Sequence, residues 1–179
     1  MLTLSTSFTN QSIFSLRTGG EVALAVDIII NPHNLKIEGF YCLDRFSNNQ
    51  LILLTQDVRD FTPRGMIVDD HDVLTPPEEL VRLKDILEIH FSLTGKQVIT
   101  QSKRKLGKVS DYAIDNDSMF VHKIYISQSI LKSFSGGQLS IDRTQIVEIT
   151  NQKIVVADTF EKQKARGRGR VAASMPAAS

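Results

Sequence analysis

The stretch AVDIIINPHNLKIEGFY (residues 25–41) decides the fold, because its pattern returns as VSDYAIDNDSMFVHKIY (residues 109–125), 84 positions later. In each stretch an apolar strand ends at a turn-forming residue, Asn31 or Asp115. A polar turn follows, and the next strand alternates apolar and polar residues. This repeated rhythm predicts two copies of one β unit rather than a single large sheet.

A second match extends the repeat along the chain. LILLTQDVRDFT (residues 51–62) aligns with LSIDRTQIVEIT (residues 139–150) at an offset of 88. The change of offset falls in one loop, which has eight residues in the first copy (43–50) and twelve in the second (127–138). Length differences of this kind are typical of surface loops in a repeated fold.

Alternation fixes which residues share a face of the strand after the turn, since side chains alternate with period two. A slip of one residue would turn the whole apolar set out to water. The matching residues are Leu35, Ile37 and Tyr41 in the first copy and Met119, Val121 and Tyr125 in the second.

Composition is that of an ordinary globular chain, with 179 residues, 41% hydrophobic and 23% charged. Copies of about 75 residues are small enough that packing on each other would stabilise both. We therefore predict a mainly β protein with two tandem small β-barrels, residues 1–74 and 91–158. A linking amphipathic helix, residues 75–90, joins them, and a disordered basic tail, residues 159–179, follows.

The linking helix is predicted from TPPEELVRLKDILEI (residues 75–89). Thr75 is a suitable N-cap, the prolines after it suit a first helical turn, and the acidic residues that follow oppose the N-terminal dipole. Leu80, Leu83 and Leu87 recur at helical spacing and form an apolar stripe.

The tail is basic, whereas the rest of the chain carries a net negative charge. It holds five Lys/Arg against Glu161, so its +4 leaves −3 on the remaining residues of a chain whose net charge is +1. Its Gly, Ala and Ser content predicts disorder. We see no export signal and no apolar run long enough to span a membrane, and Cys42 is a lone cysteine in an alternating strand, so we expect a cytoplasmic protein with a buried thiol.

One segment resembles a known family. KQVITQSKRKLGKVSDYAID (residues 96–115) is similar to the opening of a PRC-barrel domain through Leu106, Gly107, Val109 and Asp115. The first copy fits less closely, with Ala23 in place of Gly107. The family includes the photosynthetic reaction-centre H subunit and a ribosome maturation factor. The resemblance implies tandem small barrels that act in binding and assembly, and it implies no specific activity.

Catalytic and metal motifs are absent from the sequence. His33, His71, His90 and His122 lie far apart without zinc-ligand spacing, so we predict no enzyme, no cofactor and no metal. The acidic run DDHD (residues 69–72) offers oxygen ligands for a divalent cation, but a solvated loop is the simpler interpretation.

Two basic segments are candidate contacts for a partner or for RNA. A solvated turn that discourages edge pairing also explains the first, and the second resembles arginine-glycine segments that bind RNA weakly. The candidate residues are Lys103, Arg104, Lys105 and Lys108, then Arg166, Arg168 and Arg170.

These observations favour a non-enzymatic module for protein interaction or assembly, which offers loops, strand edges and a groove between the two copies to another protein. An RNA- or ribosome-associated assembly factor is the alternative, and it uses the basic tail. A small ligand-binding barrel is the third possibility.

Overall fold

Two β-sheets make up most of the protein in the computed structural model, which describes residues 1–127 and 139–158. Secondary structure there is mainly β with one short α-helix, and a curled half-barrel sheet is present. The tail and the long second loop, for which disorder and a hairpin turn were expected, lie outside the described residues.

The first sheet has six strands in the order β5-β4-β3-β2-β7-β6. All neighbours are antiparallel except β2 and β7, which run parallel. The strands are β2 (Gln11–Ser15), β3 (Glu21–Ile30), β4 (Ile37–Asp44), β5 (Gln50–Leu54), β6 (Val58–Thr62) and β7 (Gly65–Val68).

The second sheet repeats this plan in the order β11-β10-β9-β8-β13-β12, with β8 and β13 parallel. Its strands are β8 (Gln97–Thr100), β9 (Lys105–Asp115), β10 (Phe120–Ser127), β11 (Leu139–Asp142), β12 (Ile146–Ile149) and β13 (Lys153–Val156). The predicted repeat is therefore present as two sheets with the same strand order. Closure of each copy into a barrel stays an expectation.

The β-bulges, like the strands, occur at equivalent positions in the two copies. Four residues of the first sheet are skipped in the pairing register, and each has a skipped counterpart 84 or 88 positions later. Bulges bend and twist a strand locally, so their conservation between the copies means that the sheets share their curvature as well as their order. The pairs are Val22 with Leu106, Val26 with Ser110, Glu38 with His122, and Arg59 with Val147.

An additional strand, β1 (Leu2–Leu4), joins the second sheet although it precedes the first copy. It pairs antiparallel with the end of β9, where Leu2 lies opposite Asp115. The amide of Asn116 donates to the carbonyl of Met1 at 3.0 Å. The corresponding residue in the first copy is Pro32, which has no N–H to donate, so the same strand addition would lack that bond there.

The two copies share one hydrophobic core. Phe8 and Phe40 stack with ring centroids 5.9 Å apart, and both belong to the same cluster as Ile124 and Ile154 of the second sheet. An isolated bridge between Lys36 and Phe120 adds backbone contact across the boundary. We call this boundary between the copies the seam.

The linking segment differs from its prediction. Its α-helix, α1, covers only Lys84–Ile89, and two separate 3-10 turns precede it at Pro77–Glu79 and Val81–Leu83. Thr75 is not an N-cap; it forms a bridge with Ile52, whose amide donates to the Thr75 carbonyl at 2.8 Å. Local propensity favours a continuous helix here, but two residues interrupt it. Thr75 is extended and paired with Ile52, and Leu80, between the two 3-10 turns, has a non-helical backbone with φ of −87° and ψ of 65°.

Candidate binding groove at the seam

Two open cavities share one lining residue, the first at the seam and the second beside it within the second copy, and we call them together the seam groove. The first, about 320 Å³, lies between the turn at residues 32–35 of the first copy and residues 146–149 of the second. The second, about 250 Å³, is bounded by residues 120–122 and 142–144 with Asp115 and Ser118. Arg143 lines both cavities, so it occupies the centre of the groove.

Arg143 is held at this place by the 3-10 turn Arg143–Gln145, which connects β11 to β12. The Gln145 side chain accepts a hydrogen bond from the Asp142 amide at 3.0 Å and so closes the turn. The guanidinium of Arg143 lies over the ring of Phe120, 4.5 Å from its centroid. Such a cation–π contact orients the guanidinium plane and leaves its N–H edge available.

The carboxylate next to Arg143 faces other cations. Asp142 is 3.8 Å from the Lys123 ammonium and 4.0 Å from Nδ1 of His122. Among the described residues, Arg143 forms no ion pair and no side-chain hydrogen bond. It is half-buried, so this guanidinium is partly withdrawn from water without a protein acceptor to replace that water.

Two matching turns form the rim of the groove. Oδ1 of Asn31 accepts from the His33 amide at 3.0 Å, and Oδ1 of Asp115 accepts from the Asp117 amide at 3.1 Å. The Asp117 amide, first among several hydrogen bonds, keeps the pKa of Asp115 below its usual value, so its carboxylate is ionised. These Asx turns fix the rim without help from a ligand.

The copies differ at the centre of the groove. Thr55 occupies in the first copy the place of Arg143, and its hydroxyl donates to the carbonyl of Ile37 at 3.3 Å. Lys36 occupies the place of Phe120. The cation–π pair of Arg143 and Phe120 therefore exists in the second copy only.

The sequence-predicted basic residues lie elsewhere. Lys103, Arg104, Lys105 and Lys108 are brought together on the hairpin between β8 and β9, all exposed, and none lines the seam groove. The hairpin is fastened at its tip, because the Ser102 amide and hydroxyl both donate to Asp158. The tail candidates Arg166, Arg168 and Arg170 lie outside the described residues.

The acidic run at residues 69–72 is divided among separate partners. Asp69 pairs with Arg59, and Asp70 pairs with Arg17 at 2.8 Å. Nε2 of His71 lies 2.8 Å from Oδ1 of Asp44. In the part of the chain that the structure describes, no three potential metal ligands converge, here or elsewhere.

Sequence reasoning missed Arg143 and Phe120. Neither belongs to a motif, because their meeting depends on how β10 lies beside the turn after β11. The available signal was the alignment of the copies, which sets Thr55 against Arg143 and Lys36 against Phe120. From the first copy to the second, one aligned position changes from a neutral to a charged residue and the other from a charged to an aromatic residue. These two differences show that the chemistry of the copies differs locally.

Within residues 1–127 and 139–158, no helix has the length and apolar character needed to cross a membrane. No protein-family model matches the chain, and a search of curated proteins finds no match either.

Proposed function

We propose that this protein is a non-enzymatic protein-interaction or assembly module, built on two tandem PRC-type barrels, whose partner docks in the seam groove. The observation that carries the proposal is Arg143, a half-buried guanidinium stacked on Phe120 between two open cavities. Arginine and aromatic residues in partly desolvated positions dominate the energetics of protein interfaces. The exposed Val147, on the wall of the first cavity, adds apolar surface.

The lining of the groove favours binding over catalysis. Ser118 interacts with the Asp115 carboxylate, and among the described contacts it forms no hydrogen bond with His122. A nucleophilic serine requires such a bond to a base. The cytoplasmic setting that belongs to this proposal is supported by Cys42, a buried free thiol.

Site-specific photocrosslinking tests where the partner docks. A photoreactive amino acid placed at Val147 should crosslink a discrete protein in extracts of the source cells. The same group at Val81, which is 78% exposed but lies on the linking segment, is the matched control. Unlabelled wild-type protein should compete with the Val147 product. Identical products from both positions, or none from Val147, would overturn docking in the groove.

A second candidate function is an RNA- or ribosome-associated assembly factor. The basic hairpin supports it, because four cations are exposed together there. Replacing Lys103, Lys105 and Lys108 by Gln should then reduce RNA retention at low salt, and truncation after Asp158 should reduce it further. RNA retention that neither alteration changes would exclude this function. Because the triple Gln variant keeps the tail, it measures the contribution of the hairpin separately from that of the tail.

A further inference from the structure

We propose that Arg143 is a carboxylate anchor, which binds an acidic side chain of an extended segment of the protein partner. The inference deepens the proposed function and rests on it, since it names the chemistry that the seam groove recognises. Its basis is the unpaired state of the guanidinium together with the shape of the groove around it.

The guanidinium of Arg143 is oriented by stacking, but among the described residues its N–H donors have no hydrogen-bond acceptor. Phe120 supports one face at 4.5 Å, and the ring does not cover the edge that carries the N–H donors. A guanidinium edge matches a carboxylate in a bidentate arrangement, and such paired charge-assisted hydrogen bonds are among the strongest in proteins. The stacking also reduces the side-chain freedom that would be lost on binding.

Three carboxylates of the protein line the groove, yet none neutralises Arg143. Asp142 is directed to Lys123 and His122, Asp115 is occupied by the Asp117 amide, and Glu148 forms no ion pair among the described residues. A guanidinium that has such neighbours and still makes no internal pair remains available to an external carboxylate.

The groove is shaped for a chain rather than for a small anion. Arg143 belongs to both cavities, so a ligand anchored there can extend to either side, along residues 32–35 or along residues 120–122. The rim carboxylate of Asp115 would repel a compact multiply charged anion, whereas a peptide can place its other residues beside Val147 and Ile149.

Nuclear magnetic resonance of the full chain provides the test, with two probes: the side-chain Nε–Hε signal of Arg143, and the backbone amide signals of the turn Arg143–Gln145, which persist when the side chain is replaced. An acetylated and amidated peptide with a single acidic side chain, Gly-Gly-Glu-Gly, should shift these signals saturably, with a Kd on the order of 1 mM. The matched peptide Gly-Gly-Gln-Gly, which has the same length without the charge, should give no saturable shift.

Variants separate the anchor from general electrostatics. Followed through the backbone amides of the turn, Arg143→Gln should weaken binding of the glutamate peptide by about tenfold or more. Arg143→Lys should give an intermediate loss because it keeps the charge without the planar, bidentate guanidinium. Arg82→Gln, an exposed arginine on the linking segment, is the matched control and should bind like the wild type. Thermal melts of each variant verify that the fold is retained.

Several outcomes would overturn the carboxylate anchor. These are equal shifts with the glutamine peptide, tighter binding of inorganic phosphate or of an oligouridylate than of the glutamate peptide, and wild-type affinity in Arg143→Gln. If photocrosslinking at Val147 succeeds while the peptide fails, the groove docks a partner through other contacts and only the anchor is wrong. If both fail, the proposed function fails with it.

Discussion

The amide of Ile37 donates a hydrogen bond of 2.7 Å to the carbonyl of Met119, across the seam. The counterpart of Ile37 is Val121, and it donates at 2.9 Å to the carbonyl of Leu35, the counterpart of Met119. Each copy thus gives the other the same bond. Leu35 and Met119 both have left-handed backbones, with φ of 61° and 55°, although neither is glycine. The repeated strain is offset by the reciprocal pairing and by burial of both side chains.

Gly107 is the residue of the PRC-like motif whose backbone most restricts substitution. Its φ is +145°, and a Cβ there would collide with the carbonyl oxygen of Ser127. We expect Gly107→Val to lower the free energy of unfolding by more than about 1 kcal/mol, measured by urea denaturation. Gly20→Val is the control, because the nearest atom to its Cβ, Thr18 Oγ1, is 3.6 Å away. An unchanged midpoint in Gly107→Val would refute the strained geometry.

Ser5 connects the N-terminal segment to the second sheet. It is buried, and its hydroxyl donates to Oδ1 of Asp111. Ser5→Ala should cost about 1–3 kcal/mol in unfolding free energy, since it removes a bond to a charged acceptor. Thr6→Ala removes a longer contact of 3.4 Å to the same carboxylate at an exposed position and should cost less than about 0.5 kcal/mol. Equal losses in the two variants would contradict a specific role for Ser5.

Asp44 should make stability depend on pH in the acid range. Its burial alone would raise its pKa, but hydrogen bonds from the Ser47 hydroxyl, His71 and backbone amides lower it to about 2. A depressed pKa in the folded state stabilises the protein above the unfolded value of 3.8, and this stability is lost as pH falls towards about 2. The contribution is on the order of 1–2 kcal/mol.

Asp44→Asn should therefore be less stable than wild type at about pH 6, and the difference should shrink on acidification to about pH 2. Chemical denaturation of both proteins at the two pH values measures this. Asp60→Asn, at an exposed carboxylate without an ion pair among the described residues, serves as the control. A difference between Asp44→Asn and wild type that stays constant with pH would refute the assignment.

Cys42 should be unreactive in the native protein. It is 0% exposed, and burial raises the pKa of its thiol to about 12. Because the thiolate is the reactive form, alkylation at about pH 8 should proceed only through unfolding. Mass spectrometry after brief iodoacetamide treatment should find Cys42 modified in denaturant and unmodified without it. Rapid modification of Cys42 in the native protein would show that this face of β4 is accessible to solvent, which would contradict its burial.

The repeated fold was readable from the sequence because the same strand rhythm occurs twice. The predicted shared face was wrong at Tyr41 and Tyr125. A bulge before each of them, at Glu38 and His122, shifts the alternation, and both tyrosines are only half-buried. The change of offset from 84 to 88 falls between strands that pair in both copies, β4 with β5 and β10 with β11. The family resemblance, the closed barrels and the interaction function stay predictions, since no observation tests them.

What could not be predicted depends on contacts between distant segments. The short run of β1 carries no information about which sheet it joins, and its pairing with β9 follows from packing of the copies. Helix propensity favoured residues 75–89, but the bridge between Thr75 and Ile52 takes precedence over it. The contact between Arg143 and Phe120 depends on tertiary structure, so no local sequence pattern predicts it.

Hydrogen exchange at the amides of Ile37 and Val121 tests most directly whether the copies form one unit around the seam. Both amides should exchange with the same free energy of opening, equal to that of global unfolding. Gly107→Val, which alters only the second copy, should lower both values equally. If Val121 loses protection in that variant while Ile37 keeps it, the copies unfold independently, and a groove that depends on their fixed contact cannot be the basis of the function.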